Sequence, residues 1–81
     1  MSTPTIQIQK NLAQLAVGET ATICCLKDEE MSLKLIEMGC LPGSEVQVAY
    51  KAPWNGPICI EVCGYNLSLR MDEAATILLK N

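Results

Sequence analysis

The sequence predicts a mainly β fold. It reads as a small β-barrel with one α-helix after the first strand and a short helical turn near the C-terminus. Three observations carry this. Short runs of alternating apolar and polar residues recur between tight-turn signals. Only one stretch, Asp28 to Gly39, has helical periodicity. At 81 residues, 49% of them apolar, the chain has enough core for one domain and too little for two. Closure into a barrel would also hide sheet edges that so apolar a chain could not safely expose.

Met1 to Thr5 is expected to be frayed, and Ile6 and Ile8 alternate with Gln7 and Gln9 as a short extended piece. Asn11 is placed to cap one helical turn that turns Leu12 and Leu15 inward. The first strand runs from Thr20 to Leu26, with Ala21, Ile23 and Cys25 on one face. Asp28 is the N-cap of the helix, and Glu29 and Glu30 lie in its first turn, where the helix dipole favours negative charge. Met31, Leu35 and Met38 form its apolar face, widened by Leu33 and Ile36. Gly39 supplies the left-handed cap, and Pro42 and Gly43 fill the central positions of a type II turn.

Val46, Val48 and Tyr50 alternate with Glu45, Gln47 and Ala49 as a half-buried strand. Asn55-Gly56 signals a hairpin, and Pro53 and Pro57 stop the ladder on either side. Ile58, Ile60 and Val62 form the next inward face, and Gly64-Tyr65-Asn66 reverses the chain. Leu67 and Leu69 then point inward. Asp72 caps a turn through Glu73, Ala74 and Ala75, and Ile77 and Leu79 make a last strand.

The charge balance narrows the functional classes. Six basic against nine acidic residues give a net charge of −3, and the basic residues are scattered. A nucleic-acid binder needs a basic face, so no nucleic-acid partner is expected, and the same deficit argues against an anionic membrane surface. The start lacks a leader pattern, and no apolar run is long enough to insert into a bilayer. These features read as a cytoplasmic protein, monomeric or weakly self-associating.

The chain has no His, no G-x-S-x-G, no phosphate-binding glycine loop and no dinucleotide fingerprint. A barrel this small is expected to be filled by side chains, leaving no pocket of substrate size. Glu45 and Glu61 fall on outward faces, where they serve solubility. No catalytic residue, cofactor or enzyme activity is expected.

The five cysteines, Cys24, Cys25, Cys40, Cys59 and Cys63, form no C-x-x-C pair, and their odd number makes a poor disulfide framework. Cys24 and Cys25 are adjacent on a strand, so their side chains should face opposite ways. Without His, this spacing favours small half-buried hydrophobes over a metal site.

The segment Lys34-Leu35-Ile36-Glu37-Met38-Gly39-Cys40-Leu41-Pro42-Gly43-Ser44 resembles the ferrous iron transport protein A (FeoA) family. The likeness continues through Val46, Val48, Pro53, Gly56-Pro57-Ile58, Leu67-Ser68-Leu69-Arg70 and Glu73-Ala74-Ala75-Thr76-Ile77, and covers most of the chain from Leu12 to Leu79. Cys40 stands where the family often has an aliphatic residue, and Lys34 where it often has Arg. The resemblance implies one SH3-like barrel over residues 1–81. It also implies an accessory role in bacterial ferrous iron uptake, beside a membrane Fe²⁺ transporter whose cytoplasmic G domain is the expected partner. The barrel is similar as well to the C-terminal domain of iron-dependent repressors, which keeps a metal- or thiol-responsive regulatory role as the alternative.

For the partner surface, the sequence points to the hairpin tip Pro53-Trp54-Asn55. The prolines stiffen it, and Trp is the residue type most enriched at binding hot spots. Trp54 folded back as a lid over the barrel is the competing expectation. The outer side of the helix, with Lys34 and the adjoining Leu41, is the second candidate.

Overall fold

The computed structural model describes residues 10–80. The readings made for Met1–Gln9 fall outside the described residues. The elements run in the order 3-10 turn Leu12–Gln14, β1 Thr20–Leu26, α1 Glu29–Glu37, β2 Glu45–Lys51, β3 Ile58–Val62, β4 Tyr65–Leu69, α2 Met71–Ala74 and β5 Ile77–Leu79. The five strands form one antiparallel sheet in the order β4-β3-β2-β1-β5. This is the small mainly β, SH3-like architecture expected from the sequence. Among the described residues its ladder is not closed by hydrogen bonds, since β4 and β5 are its two ends. The outer edge of β5 is instead met by the chain before the 3-10 turn, where Leu79 N–H donates to the Lys10 carbonyl.

The core forms where the pleat turns β-branched and Leu residues inward. Val46 and Val48 of β2, and Ile58, Ile60 and Val62 of β3, are buried together, and Ile23, Leu69, Ile77 and Leu79 complete the packing. Leu12, Leu15 and Leu35 close it from the turn and the helix.

Two bulges displace what simple alternation predicts. In the β2–β3 ladder Val48 faces Ile60 but Tyr50 faces Cys59, so Ala49 is an extra residue. The inserted residue reverses the faces, and Tyr50, expected inside, is exposed. In the β1–β5 ladder Ile23 pairs with Leu79 and Cys25 with Leu78, leaving Cys24 as the extra residue. Ile23 is the one fully buried residue of β1.

The helix begins as its sequence dictates. The Asp28 carboxylate accepts from the backbone N–H groups of Glu30 and Met31 at 2.9 and 3.2 Å. It ends in a Schellman motif, with Gly39 at φ 105°, its N–H donating to Ile36 O and the Cys40 N–H donating to Leu35 O. Cys40 and Leu35, the two positions that such a motif places near one another, are both buried in the core. The helix packs by a narrower stripe than expected: Leu35 is buried and Met31 and Met38 are half-buried, but Leu33 and Ile36 are exposed. Gly43, at φ 92°, lies in a turn closed by Ser44 N–H to Leu41 O. That turn is pinned to the middle of β1, since Gly43 N–H donates to Ile23 O and Ile23 N–H to Ser44 O.

Two local readings shift by a residue or two. The β3–β4 reversal is Cys63-Gly64, both at positive φ, between the paired Val62 and Tyr65. Cys63 therefore lies in the turn, one residue past the end of β3. The C-terminal helical turn starts after Arg70 rather than Asp72, because Glu73 reaches back and accepts the Arg70 N–H at 2.9 Å.

Candidate partner-docking surface

The β2–β3 hairpin ends in Pro53-Trp54-Asn55-Gly56. Its central residues are Trp54 and Asn55, at φ 56° and 58°, and Gly56 N–H donates to Pro53 O. This is the primed geometry that matches strand twist, set one residue earlier than the Asn-Gly pair suggested. Gly56 is needed for space instead of for a positive φ: a Cβ there would lie 2.7 Å from the Ala52 Cβ. A bulky residue at positive φ stores about 1 kcal/mol or more of strain. Trp54 is 95% exposed, so it covers no open end of the barrel. An indole held in strained backbone and projected into water contributes little to this domain's own stability.

The second candidate region lies elsewhere. Leu41 sits before β2 and Trp54 after it, and the seven residues of β2 alone span roughly 20 Å. The hairpin residues Pro53, Trp54 and Asn55 form one group, and Lys34 and Leu41 belong to another. In the latter, Leu33, Ile36 and Leu41 expose apolar side chains along α1 and the turn that follows.

Lys34 is engaged within the domain. Its Nζ lies 2.6 Å from Oε2 of Glu73, a buried carboxylate, while the other Glu73 oxygen accepts the Arg70 N–H. The bond from Lys34, then the backbone bond from Arg70, holds the Glu73 carboxyl below the usual carboxylate range. Sequence reasoning missed Glu73 as the link between α1 and α2. The only local signal is its position three residues after the N-cap.

The cysteines are dispersed except for one pair. Cys40 is buried, and burial first, then the charges of Cys63 and Glu73, pushes its thiol up. Cys59 is half-buried and Cys63 exposed. Cys24 and Cys25, expected on opposite faces, have their sulfurs 2.8 Å apart, because the bulge at Cys24 breaks the alternation.

Two open surface grooves run along the described residues, outside the barrel interior to which the sequence expectation applied. One, of about 440 Å³, lies along Thr20, Glu45, Gln47, Glu61 and Cys63; the other, of about 380 Å³, lies along Lys10, Leu15, Glu19, Leu79 and Lys80. Among the described residues, no three His, Cys, Asp or Glu side chains gather to hold a metal ion. No helix among them is long and apolar enough to cross a membrane.

The known proteins it resembles fit this architecture. A curated relative, the Fe(2+) transport protein A/Fe(2+) transporter FeoB fusion protein of Porphyromonas gingivalis, is 33% identical over 67 residues, which are 82% of this chain and 8% of that protein. The chain thus spans under a tenth of that relative's length. The solution structure of a FeoA-like protein from Clostridium acetobutylicum superposes with a TM-score of 0.83 at 29% identity, covering 93% of this chain and 88% of that one. Zinc-complexed FeoA from Stenotrophomonas maltophilia, described as a prokaryotic SH3 domain protein, superposes at 0.77 with 24% identity, over 88% and 89% of the two chains. A manganese-dependent transcriptional repressor shares the fold, with a TM-score of 0.80 at 19% identity over 89% of this chain and 41% of its own. The FeoA domain model matches residues 10–81, and the chain belongs to the FeoA domain family, associated with ferrous iron transport.

Proposed function

We propose that this domain is a non-enzymatic cytoplasmic accessory module of ferrous iron uptake, binding the cytoplasmic G-domain part of a membrane Fe²⁺ transporter with Trp54 as its anchor. The observation that carries the role is the Porphyromonas gingivalis relative, named as transport protein A and transporter in one polypeptide. A covalent fusion raises the effective concentration of two parts that work together. The observation that carries the anchor is Trp54, 95% exposed on a proline-flanked turn. Such a turn loses little conformational entropy on docking.

The test is titration of the transporter's purified cytoplasmic part with the parent domain and with Trp54→Ala. Loss of a hot-spot Trp should weaken binding by about 2 kcal/mol, roughly thirtyfold. A folded variant that binds as well as the parent moves the contact to the outer side of α1 and Leu41. A parent domain that does not bind at all removes the accessory reading.

A second reading, a metal- or thiol-responsive regulatory barrel, is favoured by the fold shared with the repressor and by the close Cys24–Cys25 pair. Tight one-to-one Fe²⁺ or Zn²⁺ binding under reductant, lost on mutating cysteines, would select it over the first.

A further inference from the structure

Adjacent residues of a regular strand project to opposite faces, which keeps their side-chain ends apart. β1 breaks this rule at one place. The bulge against β5 leaves Cys24 without a ladder position, and the Sγ atoms of Cys24 and Cys25 come to 2.8 Å. Both residues are half-buried, so neither belongs to the sealed core that holds Ile23. The backbone on either side is anchored. Ile23 exchanges bonds with the Gly43-Ser44 turn, Lys27 N–H donates to Thr76 O, and Lys80 N–H donates to Thr22 O. The sulfurs are therefore brought together by sheet geometry on both flanks.

The separation selects the chemistry. No third ligating side chain joins the pair among the described residues, so the four-thiolate set of a structural zinc site is not available. The gap is roughly 0.8 Å longer than a disulfide bond, whose length is about 2.05 Å. We propose that Cys24 and Cys25 form an oxidisable dithiol that closes to a vicinal disulfide, with a peroxide as the oxidant. One thiol gives up its proton, its thiolate attacks a peroxide oxygen, the O–O bond breaks, and a sulfenic acid and hydroxide result, the hydroxide taking up the released proton to become water. The second thiolate attacks the sulfenic sulfur, the S–S bond forms, and hydroxide leaves and is protonated to water. Two thiols and one hydrogen peroxide give one disulfide and two waters, and a dithiol reductant reverses the change. The inference is independent of the docking reading, since Trp54 lies on the β2–β3 turn and the two cysteines lie on β1.

The experiment uses the full chain, reduced and then exposed to hydrogen peroxide, quenched with an alkylating reagent and digested with trypsin. The peptide between Lys10 and Lys27 contains Cys24 and Cys25 and no other cysteine. It should become lighter by about 2 Da and take up no alkyl group, while Cys40, Cys59 and Cys63 remain alkylatable. The folded chain should close the pair at least about tenfold faster than the urea-unfolded chain, because only the folded bulge preorganises the sulfurs. In Cys24→Ser the 2 Da loss should give way to a gain of oxygen at Cys25, about 16 or 32 Da. Equal rates in folded and unfolded chains would overturn the proposal. So would retention of both alkyl groups on this peptide while Cys59 or Cys63 is oxidised.

Discussion

At the residue scale, Glu73 does three things with one side chain. One oxygen accepts the Arg70 N–H at the start of α2, the other pairs with Lys34 of α1, and the group itself is buried. Glu73→Gln keeps an acceptor for Arg70 but removes the charge. Lys34 is well exposed, so solvent screens the pair, and the expected cost is about 1 kcal/mol, measured by urea unfolding near neutral pH. Glu73→Ala should cost more, because it also leaves the Arg70 N–H without its acceptor. The sign of the pH dependence follows from the lowered carboxyl. Its stabilisation is complete above the ordinary carboxylate range and is lost as the pH falls through the depressed folded value. Parent and Glu73→Gln should thus differ in stability at neutral pH and converge in acid; a gap that persists in strong acid would refute the linkage. Lys34 and Glu73 are 39 residues apart, and no periodicity in the sequence connects them. The reach-back of Glu73 to Arg70, three residues away, was the only part open to a local reading.

At the element scale, the two kinds of turn glycine separate cleanly. Gly39 and Gly43 adopt positive φ and have no atom within 4 Å of a Cβ position. Substitution there strains the backbone alone, and Val at either site should destabilise by roughly 1–3 kcal/mol in thermal or denaturant unfolding. Gly56 is the reverse case, with contact instead of φ as the constraint. The same hairpin carries Trp54 at positive φ, a conformation that glycine adopts without cost. Trp54→Gly should therefore leave the domain as stable as the parent or up to about 1 kcal/mol more stable, partly offset by the extra freedom of glycine in the unfolded chain. A loss of 3 kcal/mol would show instead that the indole packs against the domain. The helix with its caps, the Pro-Gly turn and the inward faces of β3 and β5 were legible because caps, turns and alternation are written in contiguous residues. The bulges at Cys24 and Ala49 were not. A bulge is fixed by how two strands of unequal length fit one another, and neither strand alone contains that information. The exposed Tyr50 and the paired sulfurs both follow from it.

At the scale of the whole molecule, β2 sets two exposed apolar regions at its opposite ends, and their charge environments differ. From Ala52 to Ile60 the chain has no ionisable group apart from the thiol of Cys59. The outer region, by contrast, is built on a helix that carries Glu29, Glu30, Lys34 and Glu37 beside the exposed Leu33 and Ile36. Lys34 is already paired with Glu73, so that helix presents mainly negative charge, in line with the net charge of −3. Exposed charges more than about 10 Å apart are largely screened at 0.1 M salt. Docking through the hairpin tip is driven by burial of the indole and of Pro53, which salt scarcely affects. Docking through α1 engages a cluster of carboxylates whose attraction for a basic partner weakens as salt rises. Titration of the transporter's cytoplasmic part at two ionic strengths, from about 0.05 to 0.5 M, thus reads the contact surface without any mutation. The hairpin predicts a dissociation constant that changes by less than about threefold across that range. A tenfold or greater weakening would place the contact on the helix, and Trp54→Ala would then be expected to bind like the parent.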